Sequence, residues 1–289
     1  LEVDVSRYPK IELPGAVVVI TGGARGIGAA TARLFADKGA DVWIGDVDDV
    51  VAKETADTIP RAQSGVLDVT KPESWAAFLD RVRAESGPID ILINNAGVMP
   101  LGGFVEENER TTDLILDVNV RGPLNGARAA LPEMVARGRG HIVNVASMAG
   151  KLAVPGMVTY NASKFGAVGL SVALRKEYAD SGVSISSVLP SAVRTELASG
   201  APLGKGMPTV DPEDVAAAIV RSVDTRRAQI SVPGWLAFGW GLVDLFVPEP
   251  LERLGRRLID DRRALTSLDL NARGAYIERI ERQSKEHQK

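Results

Sequence analysis

The chain has no cysteine and only two histidines, His141 and His287, among 289 residues. The first absence excludes disulfides, thiol nucleophiles and cysteine-ligated zinc or iron–sulfur centres, and it fits a reducing compartment. The second argues against a histidine triad or a multi-histidine metal site. No apolar run reaches the roughly 18 residues of a membrane-spanning helix. The N-terminal stretch LEVDVSRYPK lacks the basic segment and apolar core of a signal peptide, so none is expected there. A net charge of −3 and a pI near 5.6 leave no general basic surface for nucleic acid.

What is present is a globular balance, 45% hydrophobic and 25% charged, which excludes a disordered chain, a coiled coil and a collagen-like fibre. Glycine is in excess, at 29 residues, which points to tight turns or close backbone approach to a ligand. Short apolar runs at Ala16–Ile20, Asp41–Gly45, Gly65–Leu67, Ile89–Ile93, His141–Val145, Val183–Leu189 and Gln229–Val232 read as strands. The first six are nearly continuous, as expected of strands buried on both faces. Between them lie helical patterns such as Gly28–Lys38 and Pro72–Glu85, where Trp75, Phe78, Leu79 and Val82 recur at three and four. Alternating strands and helices predict an α/β fold, a doubly wound, seven-stranded parallel sheet of the Rossmann type in three layers. We divide the chain into an N-terminal arm (1–13), the Rossmann domain (14–232) and a helical C-terminal extension (233–289).

Three patterns carry chemistry. Thr21-Gly22-Gly23-Ala24-Arg25-Gly26-Ile27-Gly28 follows the first strand and opens a helix, so its backbone can approach a pyrophosphate at a helix N-terminus. The spacing is GxxxGxG and not the commoner GxGxxG. Asp46 ends the second strand, where a carboxylate accepts from ribose hydroxyls and repels a 2′-phosphate, by about 4 kcal/mol at 4 Å and an effective dielectric of ~20. That favours NAD; Arg25, which could pair with a 2′-phosphate, keeps NADP as the alternative. The third pattern is Asn94-Asn95-Ala96-Gly97, Asn119, Ser147, and Tyr160 with Lys164 one helical turn later. A phenol of pKa near 10 is a poor base at neutral pH, and an adjacent ammonium lowers that value.

In this order and spacing, with Ser147 thirteen residues before Tyr160, the motifs resemble the short-chain dehydrogenase/reductase family over about residues 14–232. The resemblance implies Tyr160 as general acid/base, Lys164 lowering its pKa and holding the nicotinamide ribose, Ser147 orienting the substrate oxygen, and Asn119 supporting a proton relay through water. It implies adenine contacts at Asp68 and Val69, a cofactor floor at Asn95, Ala96 and Gly97, and nicotinamide contacts along Pro190, Val193 and Thr195. Gly22, Arg25, Gly26, Ile27 and Gly28 would hold the phosphates. Ser191 stands where the family has glycine, which puts the local turn in question. A homodimer or homotetramer through helices near Thr111–Met134 and Val158–Asp180 is implied as well.

The remaining residues receive plainer readings. His141 reads as a partly exposed strand-edge residue, Trp75 as core, and His287 with the charged tail as solvated. Met148 and Met157 flank the inferred site. Trp235, Phe238, Leu242 and Leu245 recur near helical spacing, and three readings stand: packing, a substrate lid, or a membrane-dipping helix followed by Arg253, Arg256 and Arg257. Apolar residues near the site (Met148, Leu152, Val154, Met157) suggest a lipophilic alcohol or ketone. The sequence thus reads as a cytoplasmic NAD-dependent oxidoreductase, with peripheral contact on the inner face of a membrane left open. An NADPH-dependent ketoreductase and a non-catalytic cofactor-binding protein are the alternatives.

Overall fold

The structure is a computed structural model and describes residues 7–201, 208–236 and 263–287. In chain order its elements are β1 (Val17–Thr21), α1 (Gly26–Asp37), β2 (Asp41–Asp46), α2 (Asp49–Asp57), β3 (Ala62–Val66), α3 (Pro72–Ser86) and β4 (Ile91–Asn94). There follow α4 (Glu109–Leu116), α5 (Gly122–Ala136), β5 (Gly140–Val145), α6 (Val158–Glu177) and β6 (Val183–Pro190). The last are β7 (Ala192–Val193), β8 (Thr209–Val210), α7 (Pro212–Thr225), β9 (Gln229–Val232) and, after a helical turn at Arg263–Thr266, α8 (Leu270–His287).

Seven strands form one parallel sheet in the order β3-β2-β1-β4-β5-β6-β9. Strand alternation sends side chains into two separate cores. Val18, Ile20, Ile44 and Val143 meet Phe35 of α1 and Ile219 of α7 on one face. Val17, Val19, Trp43 and Ile142 meet Trp75 of α3 and Leu131 of α5 on the other. Each such fully buried side chain contributes about 1.5–3 kcal/mol. The sheet with a helical layer on each face is the expected three-layer architecture, and Trp75 is a core residue as read.

The order reverses between β1 and β4: the chain winds outward through β2 and β3, then returns to the other side of β1. Such a reversal opens a crevice at the strands' carboxyl ends. Two local expectations change. The third strand runs Ala62–Val66, because it is an edge strand whose Gln63 and Ser64 are half-buried and Val66 exposed, so no continuous apolar run marks it. His141 is not at an edge; β5 pairs with β4 and β6, and the ring is completely buried.

Candidate active site

The crevice is a cavity of about 980 Å³, at the upper end of the usual 300–1,000 Å³ of small-molecule pockets. Its first wall is the turn after β1. Gly22 has φ +61°, and a Cβ there would lie 2.7 Å from the Ala96 backbone, so only glycine lets the β1 and β4 turns approach. Thr21 and Asn95 lock that approach: Thr21 Oγ1 accepts from the Asn95 and Ala96 amides at 3.0 Å, and Asn95 Nδ2 donates to the Thr21 and Gly22 carbonyls at 2.9 Å. The α1 N-cap is Arg25, which makes no side-chain cap and is followed by no acidic residue in the first turn. The free first-turn amides and the helix dipole therefore favour an anion.

Asp46 stands at the end of β2, its two oxygens accepting from the Ala24 and Asp48 amides at 3.1 Å. Burial pushes its carboxyl pKa up against those hydrogen bonds. Arg25 is already engaged: Nη2 donates to Asp48 Oδ2 at 2.7 Å, and Nε lies 3.8 Å from Glu196. That bond holds the Asp48 carboxyl below its ordinary range. Uncapped amides, the close Gly22–Ala96 contact and an acidic strand end together fit a dinucleotide with unphosphorylated ribose.

At the opposite end Tyr160 and Lys164 project from α6, both buried. Ser147 caps the turn at Met148–Gly150, its Oγ accepting from the Ala149 amide at 3.1 Å, and it hydrogen-bonds with Tyr160. Lys164 Nζ donates to the Val145 carbonyl at 3.1 Å. Burial brings the lysine down to about 8. Burial also raises the Tyr160 phenol above its usual 10, with the Ser147 bond pulling the other way. The Lys164 ammonium lies 5.6 Å from the centroid of the Tyr160 ring and points to a backbone carbonyl.

Sixteen of the eighteen residues singled out from the sequence line this one cavity: Gly22, Arg25, Gly26, Ile27, Asp46, Asp68, Val69, Asn95, Ala96, Gly97, Ser147, Tyr160, Lys164, Pro190, Val193 and Thr195. Gly28 packs beneath the turn, against the Gly22 carbonyl. Asn119 stands one layer behind the wall, in the π-helical turn Asp117–Arg121 that joins α4 to α5. Its amide accepts from Val98 N and donates to Val98 O, both at 2.9 Å, and donates to Ser163 Oγ at 3.0 Å. A π-turn at such a residue is a frequent mark of a functional site. Ser191 needs no glycine-like conformation, since its φ is not positive.

The charged tail is not solvated as expected. In α8, Arg273 and Tyr276 are each 2% exposed. His287 Nε2 lies 2.7 Å from Asp117 Oδ2 and lines the cavity, as do Arg279, Ile280 and Arg282. The available signal was narrow: Arg273, Tyr276 and Ile280 fall on one face, spaced three and four apart. Phe238, Leu242, Leu245 and the following arginines lie outside the described residues, while Trp235 is exposed and Leu236 buried. Among the described residues no helix is long and apolar enough to cross a membrane, and no acidic or histidine cluster forms a metal site.

A family model described as short chain dehydrogenase matches residues 16–204. The oxidoreductase UcpA of Escherichia coli K12 is 37% identical over 220 residues, covering 75% of this chain and 83% of that protein. The probable oxidoreductase EphD of Mycobacterium tuberculosis H37Rv is 38% identical over 220 residues, 74% of this chain and 35% of the longer relative. A crystal structure of a short chain dehydrogenase/reductase from Burkholderia phymatum in complex with NAD superposes with a TM-score of 0.72 at 30% identity, covering 78% of this chain and 92% of that one.

Proposed function

Because the chain belongs to the short-chain dehydrogenase family and is an oxidoreductase of the kind that acts on CH–OH groups with a nicotinamide dinucleotide, we propose that it interconverts a lipophilic secondary alcohol and its ketone, with NAD as cofactor and Tyr160 as general acid/base. The observation that carries this is the convergence of Ser147, Tyr160 and Lys164 on the cavity whose far end holds the Gly22–Gly26 turn and Asp46. The bound nicotinamide supplies the hydride-accepting carbon. The chain's residues supply orientation and the proton.

Burial keeps Tyr160 a phenol in the free protein, the form that donates a proton to a forming alkoxide during ketone reduction. In the oxidative direction the phenolate must form first, and the Ser147 hydrogen bond favours it. Ser147, bonded to Tyr160, is placed to share the substrate oxygen. Lys164, near 8, is largely cationic at neutral pH and has donors left for ribose hydroxyls. Asn119 acts through Val98 and Ser163, holding the β4 turn against α6. The engagement of Arg25 by Asp48 supports NAD over NADP.

The substrate class rests on the apolar wall formed by Met99, Leu101, Met148, Leu152, Met157 and Leu197. Exposed Val158, Phe165 and Val172, seven apart along α6, support a self-association face there. The test is turnover with NAD of secondary alcohols of increasing chain length. Rising kcat/KM with length is expected in the wild type, and loss of turnover with NADH binding retained in Tyr160→Phe. Equal turnover of small polar sugars would remove the lipophilic assignment, and an active Tyr160→Phe would remove the assigned acid/base.

A further inference from the structure

Arg273 on α8 is buried, and among the described residues it faces no carboxylate. Its guanidinium donates to three backbone carbonyls. Nη1 reaches Leu197 O at 3.1 Å and Ser199 O at 2.7 Å, and Nη2 reaches Met99 O. Met99 belongs to the turn after β4, whereas Leu197 and Ser199 follow β7. Both segments line the cavity beside Tyr160, where Met99, Ala149, Tyr160 and Ala198 form one apolar cluster. A single planar fork thus ties two walls that are about a hundred residues apart in sequence. Tyr276, one turn further on, accepts from the Met99 amide at 2.6 Å, and Arg273 lies 4.5 Å from its ring centroid.

The segment after β7 is shaped to receive the helix. Gly200 has φ +66°, and a Cβ there would fall 2.3 Å from the Asp269 carbonyl and 2.9 Å from Arg273 Cβ. The Asp269 amide donates to Gly200 O at 2.9 Å, directly ahead of α8. A backbone conformation that favours glycine, a contact with no room for a side chain and a buried cation whose hydrogen bonds, among the described residues, all go to carbonyls occur at one docking point. An incidentally packed tail would need none of them.

We propose that Arg273 is a positioning residue of the active site, through which α8 sets the spacing between the Met99 turn and the Leu197–Ser199 segment and so the width of the substrate end of the cavity. The description of that end as a substrate pocket rests on the function proposed above. Arg273 itself touches neither cofactor nor substrate; it acts through the carbonyls it holds. The helix remains attached without it, by Tyr276 to Met99, Arg279 to Glu196 and His287 to Asp117.

The experiment is hydrogen–deuterium exchange on wild type, Arg273→Ala and Tyr276→Phe, together with NADH titration followed by fluorescence. In Arg273→Ala, exchange should quicken about tenfold or more at residues 97–101 and 196–201 while the sheet is unchanged. Guanidinium at sub-denaturing concentration should slow it again, a rescue that a general packing defect would not show. Tyr276→Phe should loosen 97–101 alone. Emission of bound NADH should fall in Arg273→Ala, as water reaches the nicotinamide end. Wild-type exchange at both segments, or quickening spread through the sheet, would overturn the proposal. Failure of the wild type to bind NADH would instead strike the proposed function, leaving the exchange result to stand by itself. If Arg273→Ala does not fold, Arg273→Lys decides, since its single ammonium keeps the charge without the fork that spans both walls: unchanged exchange at 97–101 and 196–201 overturns the proposal.

Discussion

Lys164 Nζ lies 5.6 Å from the centroid of the Tyr160 ring and donates to the Val145 carbonyl at 3.1 Å. The ammonium is thus held by the end of β5, over the face of the ring. Both groups are buried, and burial acts oppositely on an acid and a base. The lysine becomes easier to deprotonate, at about 8, and the tyrosine harder. The buried lysine charge costs stability near neutral pH, whereas the neutral phenol does not.

Removing the lysine charge should therefore stabilise the fold near neutral pH. A folded pKa of about 8 against 10.5 corresponds to roughly 3 kcal/mol. Loss of the donor to Val145 O offsets about 1 kcal/mol of that. Lys164→Met should gain about 2 kcal/mol at pH 7. The penalty is complete below pH 8 and disappears as pH rises to 10.5, so the gain should fade over that window. Thermal unfolding of both proteins from pH 7 to 10.5 reads it directly. A variant less stable than wild type at pH 7 would mean that the buried charge is compensated.

Asp46 should set the cofactor preference. Arg25, the guanidinium nearest to Asp46 in sequence, is bound to Asp48 and so is drawn away from a 2′-phosphate. Asp46→Asn should weaken NADH binding about tenfold and tighten NADPH, since removal of a like charge at ~4 Å is worth up to about 4 kcal/mol. Titration of tryptophan fluorescence with both dinucleotides gives the ratio. An unchanged ratio would place selectivity elsewhere.

The parts of the molecule legible in the sequence are those written in local pattern. The five inner strands stand out because apolar residues, chiefly Val, Ile and Leu, are concentrated where both faces of a parallel strand are covered. The site was legible because its residues sit at strand ends and on one helical turn. What escaped depends on partners distant in sequence. His141 looks peripheral beside Gly138 and Gly140, but its ring is satisfied by Ser184 and Ser222, 43 and 81 residues away. Arg273 looks like one more charge on a polar helix until Met99, 174 residues earlier, is folded against it. Asp41–Asp46 is enclosed by a neighbouring strand on each side and centres on Val42, Trp43 and Ile44, whereas Ala62–Val66 has a neighbour on one side only and centres on Gln63 and Ser64.

Asn119→Ala should destabilise more than an average buried substitution. The side chain closes both the amide and the carbonyl of Val98 and holds Ser163. Leaving two buried backbone groups without partners costs about 1–3 kcal/mol each. We expect a loss of about 2–5 kcal/mol in urea unfolding, with NADH binding weakened because Gly97 borders the same amide. Wild-type stability would show that water replaces the amide fully.

His141 should make the fold acid-sensitive through a single proton. The ring lies between Ser184 Oγ at 2.8 Å and Ser222 Oγ at 2.9 Å, and the Arg226 guanidinium donates to the same Ser184 oxygen at 2.8 Å. Burial, then the positive charge of Arg226, hold the imidazole well below 6.5; Arg175 adds to this, while the hydrogen bond to Ser184 opposes it. The folded protein therefore keeps His141 neutral where the unfolded chain binds a proton. Stability is unaffected above pH 6.5 and falls below it, by about 1.4 kcal/mol per pH unit, until the folded pKa is reached. Carboxylates add their own acid slope, so the comparison is with His141→Asn, which keeps a polar side chain toward Ser184 and cannot titrate. Urea unfolding at pH 7 and 5 should show the wild type losing more stability than the variant over this interval. Equal losses would mean that the imidazole is protonated within the fold, and that the two serines and Arg226 rearrange to admit a second positive charge.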